Sequence, residues 1–92
     1  MAAKFPNLRL MHIFVTVAKH QGFASAQQDL NLTVSAISNY MSELEEKLGF
    51  VLCRRGRGGF ALTPKGEAYL QQSMTLLNTL ENFERYTASL RG

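Results

Sequence analysis

At 92 residues, 46% of them hydrophobic, the chain is long enough for one small domain with a modest core and an appendage. Its single cysteine excludes an internal disulfide framework and fits a reducing cytoplasm, and no apolar run approaches the ~20 residues of a membrane span. Ten Lys and Arg against seven acids give a net charge of +3, but the only tight basic cluster is Arg54, Arg55 and Arg57, with no acid between Lys47 and Glu67; the cluster points to an anionic partner.

Residues 1–20 carry an apolar stretch interrupted by His12 and Thr16 and lack a signal-peptide cleavage pattern, so they read as helix rather than leader. Within them, 8–20 places Leu8, Met11, Phe14, Val15 and Ala18 on one stripe, with Asn7 as cap and an end near His20. His12 and His20 have no His, Cys or Asp partner at metal spacing; they read as surface or packing residues, and no metal or cofactor is expected. A short helix over 23–30 follows, with Gly22 as N-cap and Phe23, Ala26 and Leu30 inward. Asn31 tolerates a left-handed turn, Leu32 plugs the corner, and Thr33 opens the next helix. Two helices separated by about three residues make a helix-turn-helix, a spacing that an ordinary αα-hairpin shares.

The stretch 33–48, TVSAISNYMSELEEKL, sorts by face when wound at about 3.6 residues per turn. Ile37, Met41, Leu44 and Leu48 form an apolar stripe; Ser35, Ser38, Asn39 and Ser42 lie opposite, toward the N-terminal end. Thr33 suits the N-cap. Small hydroxyl and amide side chains approach base edges and phosphates closely, and Glu43, Glu45 and Glu46 come only in later turns. Such a helix would enter a DNA groove tip first, although a serine-rich face is also what a merely solvated helix shows.

Gly49 supplies a C-cap, after which the period changes. Residues 50–55 read as a short extended segment with Leu52 inward, GRGG at 56–59 as a flexible turn, and 60–62 as a second strand. A hairpin in this place makes a wing, and an arginine at its tip would suit a narrow, negative minor groove; the alternative is a solvated hairpin. GRGRGG lacks the Gly-Lys-Ser/Thr of a P-loop, and Cys53 reads as a small core residue. Thr63 and Pro64 then cap a helix that nothing interrupts from Lys65 to Arg91, roughly 40 Å at 1.5 Å per residue. Tyr69, Leu76, Leu80, Phe83 and Leu90 repeat at heptad spacing, with Ser73 and Thr87 as polar interruptions and Leu70, Met74 and Leu77 as a second flank. A monomer would leave much of this stripe wet, so a partner helix is expected, the alternative being a helix laid along its own domain.

Six blocks in this order resemble the N-terminal domain of LysR-type transcriptional regulators. They are Phe14-Val15-Thr16-Val17-Ala18; Gly22-Phe23 with Ala26; the run from Leu30 to Ser38; Leu44-Glu45-x-x-Leu48-Gly49; Leu52-x-x-Arg55; and Leu62-Thr63-x-x-Gly66. Residues 8–70 are covered by the motif and 71–92 by general character. The resemblance implies a mainly α winged helix-turn-helix with a two-stranded β wing and a long C-terminal linker helix that dimerises antiparallel. It implies double-stranded DNA as partner, the helix from Thr33 in the major groove and the wing near a minor groove. Thr33, Val34, Ser35, Ser38, Asn39, Ser42, Arg54, Arg55 and Arg57 are the expected DNA-binding residues; Tyr69, Leu76, Leu80, Phe83 and Leu90 are the expected dimer contacts. The family commonly has Gln at Val34, Arg at Asn39, Ala at Gln27 and Phe at Cys53, so the docking mode carries over better than individual base contacts.

The expected organisation is a DNA-binding domain over 1–62 and a linker helix over 63–92, in a cytoplasmic homodimer. The chain stops at Gly92, where family members would continue, so it reads as a fragment whose small-molecule inducer would bind only in a missing C-terminal domain. A competing class is a protein–protein module in which only the long helix acts. An enzyme is a distant third, since no nucleophile–base pair, metal cluster or carboxylate dyad is recognisable.

Overall fold

The computed structural model describes residues 7–92. The first six residues of the N-terminal stretch, and any reading of a leader or helix within them, lie outside the described residues. The elements are α1 (Leu8–His20), α2 (Phe23–Leu30), α3 (Val34–Leu48), β1 (Cys53–Gly56), β2 (Gly59–Leu62) and α4 (Pro64–Ser89). This is a winged helix-turn-helix: mainly helical, with a two-stranded antiparallel hairpin after the third helix.

Helix α1 is the centre of the domain and packs on α2, α3 and α4. Asn7 Oδ1 accepts the Leu10 N–H at 3.0 Å, and the chain leaves through Gln21 in the left-handed region at φ 56°, where the N–H groups of Gln21 and Gly22 close back on Ala18 and Val17. Being surrounded, α1 buries far more than one stripe: Leu10, Ile13 and Val17 are as buried as Met11, Phe14 and Val15. Leu8, expected inward, is instead 42% exposed, although Leu10 and Met11 in the same first turn are buried.

Asn31 takes φ 54° between α2 and α3, and Leu32 packs on the core as a corner plug. Ile37, Met41 and Leu44 are the buried stripe of α3, with Leu48 half-buried. Gly49, at φ 84°, ends α3 with its N–H on the Glu45 carbonyl. The sequence reads extended backbone from residue 50, yet the ladder begins only at Cys53, which pairs with Leu62; Gly56 pairs with Gly59 across the turn. The delay has a cause in Leu52. Its side chain is fully buried, its N–H is taken by Glu45 Oε2 at 2.7 Å, and its carbonyl accepts the Thr63 N–H at 3.0 Å.

Helix α4 starts on the same residue. Thr63 Oγ1 donates to the Val51 carbonyl at 2.6 Å while accepting the Gly66 N–H at 2.9 Å. Pro64 occupies the first turn, where its missing N–H costs nothing. The helix ends at Ser89, two residues short of the expected Arg91. Its first half lies on the domain. The Tyr69 ring lies 5.6 Å from that of Phe14 and 6.3 Å from that of Phe50, and Ser73, read as a polar interruption of the stripe, is 1% exposed.

The seat of α4 on Leu52 is tested at Gly66. A Cβ there would lie 1.9 Å from the Leu52 carbonyl oxygen, and backbone, unlike a side-chain tip, cannot step aside. Gly66→Ala should therefore cost about 3 kcal/mol or more, outweighing the ~1 kcal/mol that alanine gains within a helix. Gly58→Ala, with nothing within 4 Å, should stay within about 0.5 kcal/mol of wild type. Urea denaturation of the two variants checks this; equal stability would mean that α4 does not sit on Leu52 as described.

Candidate nucleic-acid interface

The exposed polar face of α3 and the hairpin beside it lie together because one buried junction holds both. Thr33 spends its hydroxyl on the N-cap, accepting the Ala36 N–H at 3.1 Å. Beyond it, Ser35, Asn39 and Ser42 are exposed and Ser38 is half-buried on one face of the helix. The side-chain hydrogen bonds of α3 are made on its flanks: Tyr40 accepts from Arg9 at 3.1 Å, and Glu45 accepts from Leu52. Among the described residues, Ser35, Ser38, Asn39 and Ser42 make no side-chain hydrogen bond to the protein. The contrast is with Thr16, Thr75, Thr79 and Thr87, whose hydroxyls donate to the carbonyl one turn back. The α3 face is thus a set of free donors and acceptors. Val34 differs, because it is half-buried and packs on the core.

The three wing arginines, one cluster in the sequence, separate in space. Arg55 shares a strand face with Cys53 and lays its guanidinium carbon 3.9 Å from the centre of the Phe23 ring, tying the wing to α2. Arg54 is exposed on the opposite face of β1, and Arg57 is exposed in the turn. Held over Phe23, Arg55 also lines a small cleft with Ser38 and Ser42 of α3, whereas Arg54 and Arg57 project from the wing with no side-chain partner among the described residues.

Residues that the sequence reading missed are the couplers. Glu45 counted there only as part of an acidic tail, since nothing in a helical carboxylate marks it as a cap for an N–H seven residues on. Arg9 lies against Tyr40, with its guanidinium carbon 4.8 Å from the ring centre, and bridges α1 to α3. His20 meets Asp29 at 3.0 Å and bridges α1 to α2.

On α4, the expected dimer contacts divide into two groups. Tyr69 belongs to the domain's own aromatic cluster, and Leu76 and Leu80 are half-buried. Phe83 and Leu90 are 62% and 67% exposed, and they are joined by Tyr86, outside the heptad, at 64%. The C-terminal part of α4 therefore offers a wet apolar face while its first half is anchored.

Residues 8–67 match the family described as "Bacterial regulatory helix-turn-helix protein, lysR family". The chain is 46% identical over 77 residues to the HTH-type transcriptional activator BauR of Pseudomonas aeruginosa, covering 84% of the chain and 25% of that protein. It is 34% identical over 92 residues to the RuBisCO operon transcriptional regulator of Acidithiobacillus ferrooxidans, covering 100% of the chain and 30% of that protein. It thus spans only about a quarter to a third of the length of these curated relatives. Among solved structures, the BenM DNA-binding domain in complex with its catB site 1 DNA superposes with a TM-score of 0.89 at 29% identity, over 95% of the chain and 98% of that domain. The DNA-binding domain of CbnR, also solved on DNA, superposes with a TM-score of 0.84 at 26% identity, over 95% of the chain and 100% of that domain.

Cys53 reports on how closely the wing meets the helices. It is half-buried in a small cleft with Phe23, Met41 and Glu45, and burial together with the Glu45 charge pushes its thiol from 9.0 up to about 11. The thiolate is the nucleophile, so at pH 8 iodoacetamide should alkylate Cys53 about a hundredfold more slowly in the folded chain than in urea. Because folding favours the protonated thiol, its contribution to stability is intact below pH 9 and lost as pH rises through about 11. Equal alkylation rates in the two states would mean that the wing does not close on this thiol.

Proposed function

The chain belongs to the LysR family of bacterial regulatory helix-turn-helix proteins, and on that premise we propose that it binds double-stranded DNA sequence-selectively as a homodimeric transcriptional regulator. The observation that carries this reading is the unbonded polar face of α3, Ser35, Ser38, Asn39 and Ser42, with Arg55 of the wing lining a cleft beside Ser38 and Ser42 and with Arg54 and Arg57 exposed on the same hairpin. Hydrogen-bonding groups with no partner inside the protein suit base edges, while exposed cations suit phosphates and a narrow minor groove. The similar BenM and CbnR domains were solved on DNA, which supports the same placement here: α3 in the major groove and the wing toward a minor groove.

In this reading residues 1–62 form the reading domain, 63–92 the linker, and the protein works in the cytoplasm without catalysis. No helix among the described residues is long and apolar enough to cross a membrane. One helix-turn-helix contacts too few base pairs to select a site against a genome of competitors, so two copies must be held at a fixed spacing. Leu76, Leu80 and Phe83 on α4, with Leu90 at its C-cap, supply the seam for that pairing, with Tyr86 at its edge.

Binding to duplex DNA should weaken steeply with salt, because each neutralised phosphate releases counterions. A module that acts only through protein contacts would show no such slope. Placing a carboxylate in the seam, Leu80→Glu, should yield a folded monomer, since an unpaired buried charge costs several kcal/mol and is relieved when the helices part. That monomer should bind DNA weakly and lose its preference for a paired site over a half-site. Sedimentation and competition between one- and two-half-site duplexes check both; a variant that stays dimeric and keeps the preference would move dimerisation off α4.

A further inference from the structure

The reading face of this protein is unusual in its charge. Between Lys19 and Lys47 the chain holds no Lys or Arg, so the whole of α2, the turn and the first three turns of α3 are without a cation. Of the basic groups around it, Arg55 lies over the Phe23 ring at the edge of a small cleft that Ser38 and Ser42 also line, Arg9 lies on Tyr40, and Lys47 faces Glu43 in the last turn of α3. Guanine is read in the major groove chiefly by a bidentate Arg or Lys, and cytosine by a carboxylate. The side chains of Ser35, Ser38, Asn39 and Ser42 themselves supply neither. Its serines each offer a single hydroxyl that accepts or donates to any base.

Asn39 is the one side chain on this face with a donor and an acceptor side by side. That pair matches adenine, which presents its N6 amino group and N7 next to each other. The amide is exposed, has no hydrogen-bond partner among the described residues, and shares its face with Ser35 and Ser42 at spacings of four and three. Another amide nearby, Gln27, donates to the Ala24 carbonyl within α2.

We infer that Asn39 is the specificity-determining residue of the reading helix, and that each half-site it reads is fixed by an A·T pair whose adenine N6 and N7 are bridged by the Asn39 amide. The inference rests on the DNA-reading function proposed above. Cations on the wing then supply attraction to phosphate, while discrimination comes from an uncharged group.

Selection from a pool of randomised duplexes by the 92-residue chain tests this with three proteins: wild type, Asn39→Ala and Asn39→Arg. Wild type should enrich adenine at one position of each half-site. Asn39→Ala should lose that preference by about tenfold or more at that position alone, with its salt slope unchanged, because a neutral amide releases no counterion. Asn39→Arg should turn the same position to guanine. Thermal melts coincident with wild type establish that both variants are folded. Guanine or cytosine at that position in the wild-type pool, or an adenine preference that survives Asn39→Ala, would overturn the inference while leaving DNA binding in place. Failure of wild type to show any salt-dependent duplex binding would instead bring down the functional reading itself, and the inference with it.

Discussion

Leu52 is the residue on which the three working parts of this domain converge. Its side chain fills the core, its N–H is held by Glu45 of α3, and its carbonyl receives Thr63 at the start of α4. Gly66 presses directly on that carbonyl. A buried backbone N–H or C=O left without a partner costs about as much as a lost hydrogen bond, so each contact is required as well as favourable. The reading helix, the wing and the linker therefore meet at one peptide. Their mutual angles are set by short polar contacts, which hold orientation more tightly than apolar packing does.

Much of this was legible before any coordinates. Caps speak through local chemistry, and Asn7, Thr33, Gly49 and Thr63 all act at the positions where their residue types suggested they would. The α3 stripe was equally readable, because a helix on the edge of a small domain has one dry side. Periodicity failed where that premise failed. Helix α1 is enclosed by three others, so a single-stripe reading chose Leu8 and passed over Leu10, Ile13 and Val17. A heptad pattern on α4 likewise could not tell which turns face the domain and which face water. Tyr69 is half-buried because Phe14 and Phe50, distant in the sequence, come to meet it. Long-range partners of this kind leave no local mark, as with Arg55 on Phe23 and Glu45 on Leu52.

The placement of charge matches the division of labour in the proposed DNA-reading role. Cationic groups on the wing are exposed, while the central polar face is neutral. Such an arrangement lets attraction to a polyanion act at the periphery, where a flexible side chain adapts to a phosphate at little cost. The contacts that require fixed geometry sit on a helix whose start is capped, whose flanks are pinned by Arg9–Tyr40 and Glu45–Leu52, and whose far side is in the core. Fixed geometry is found where a hydrogen-bond pattern must be matched, and solvent exposure where only charge matters.

That Ser35, Ser38, Asn39 and Ser42 bond to nothing inside the protein has an evolutionary consequence. Side chains that contribute no internal contact can be exchanged with little change in folding free energy, since surface substitutions away from such features stay within about half a kcal/mol. Their effects on stability and on the couplers Glu45, Thr63 and Gly66 are then nearly independent. If these four positions read the DNA as proposed, a lineage built on this scaffold can drift from one binding site to another through them without passing through unfolded intermediates. The couplers enjoy no such freedom: they are the part of the inheritance that must be kept for the variable part to be heard.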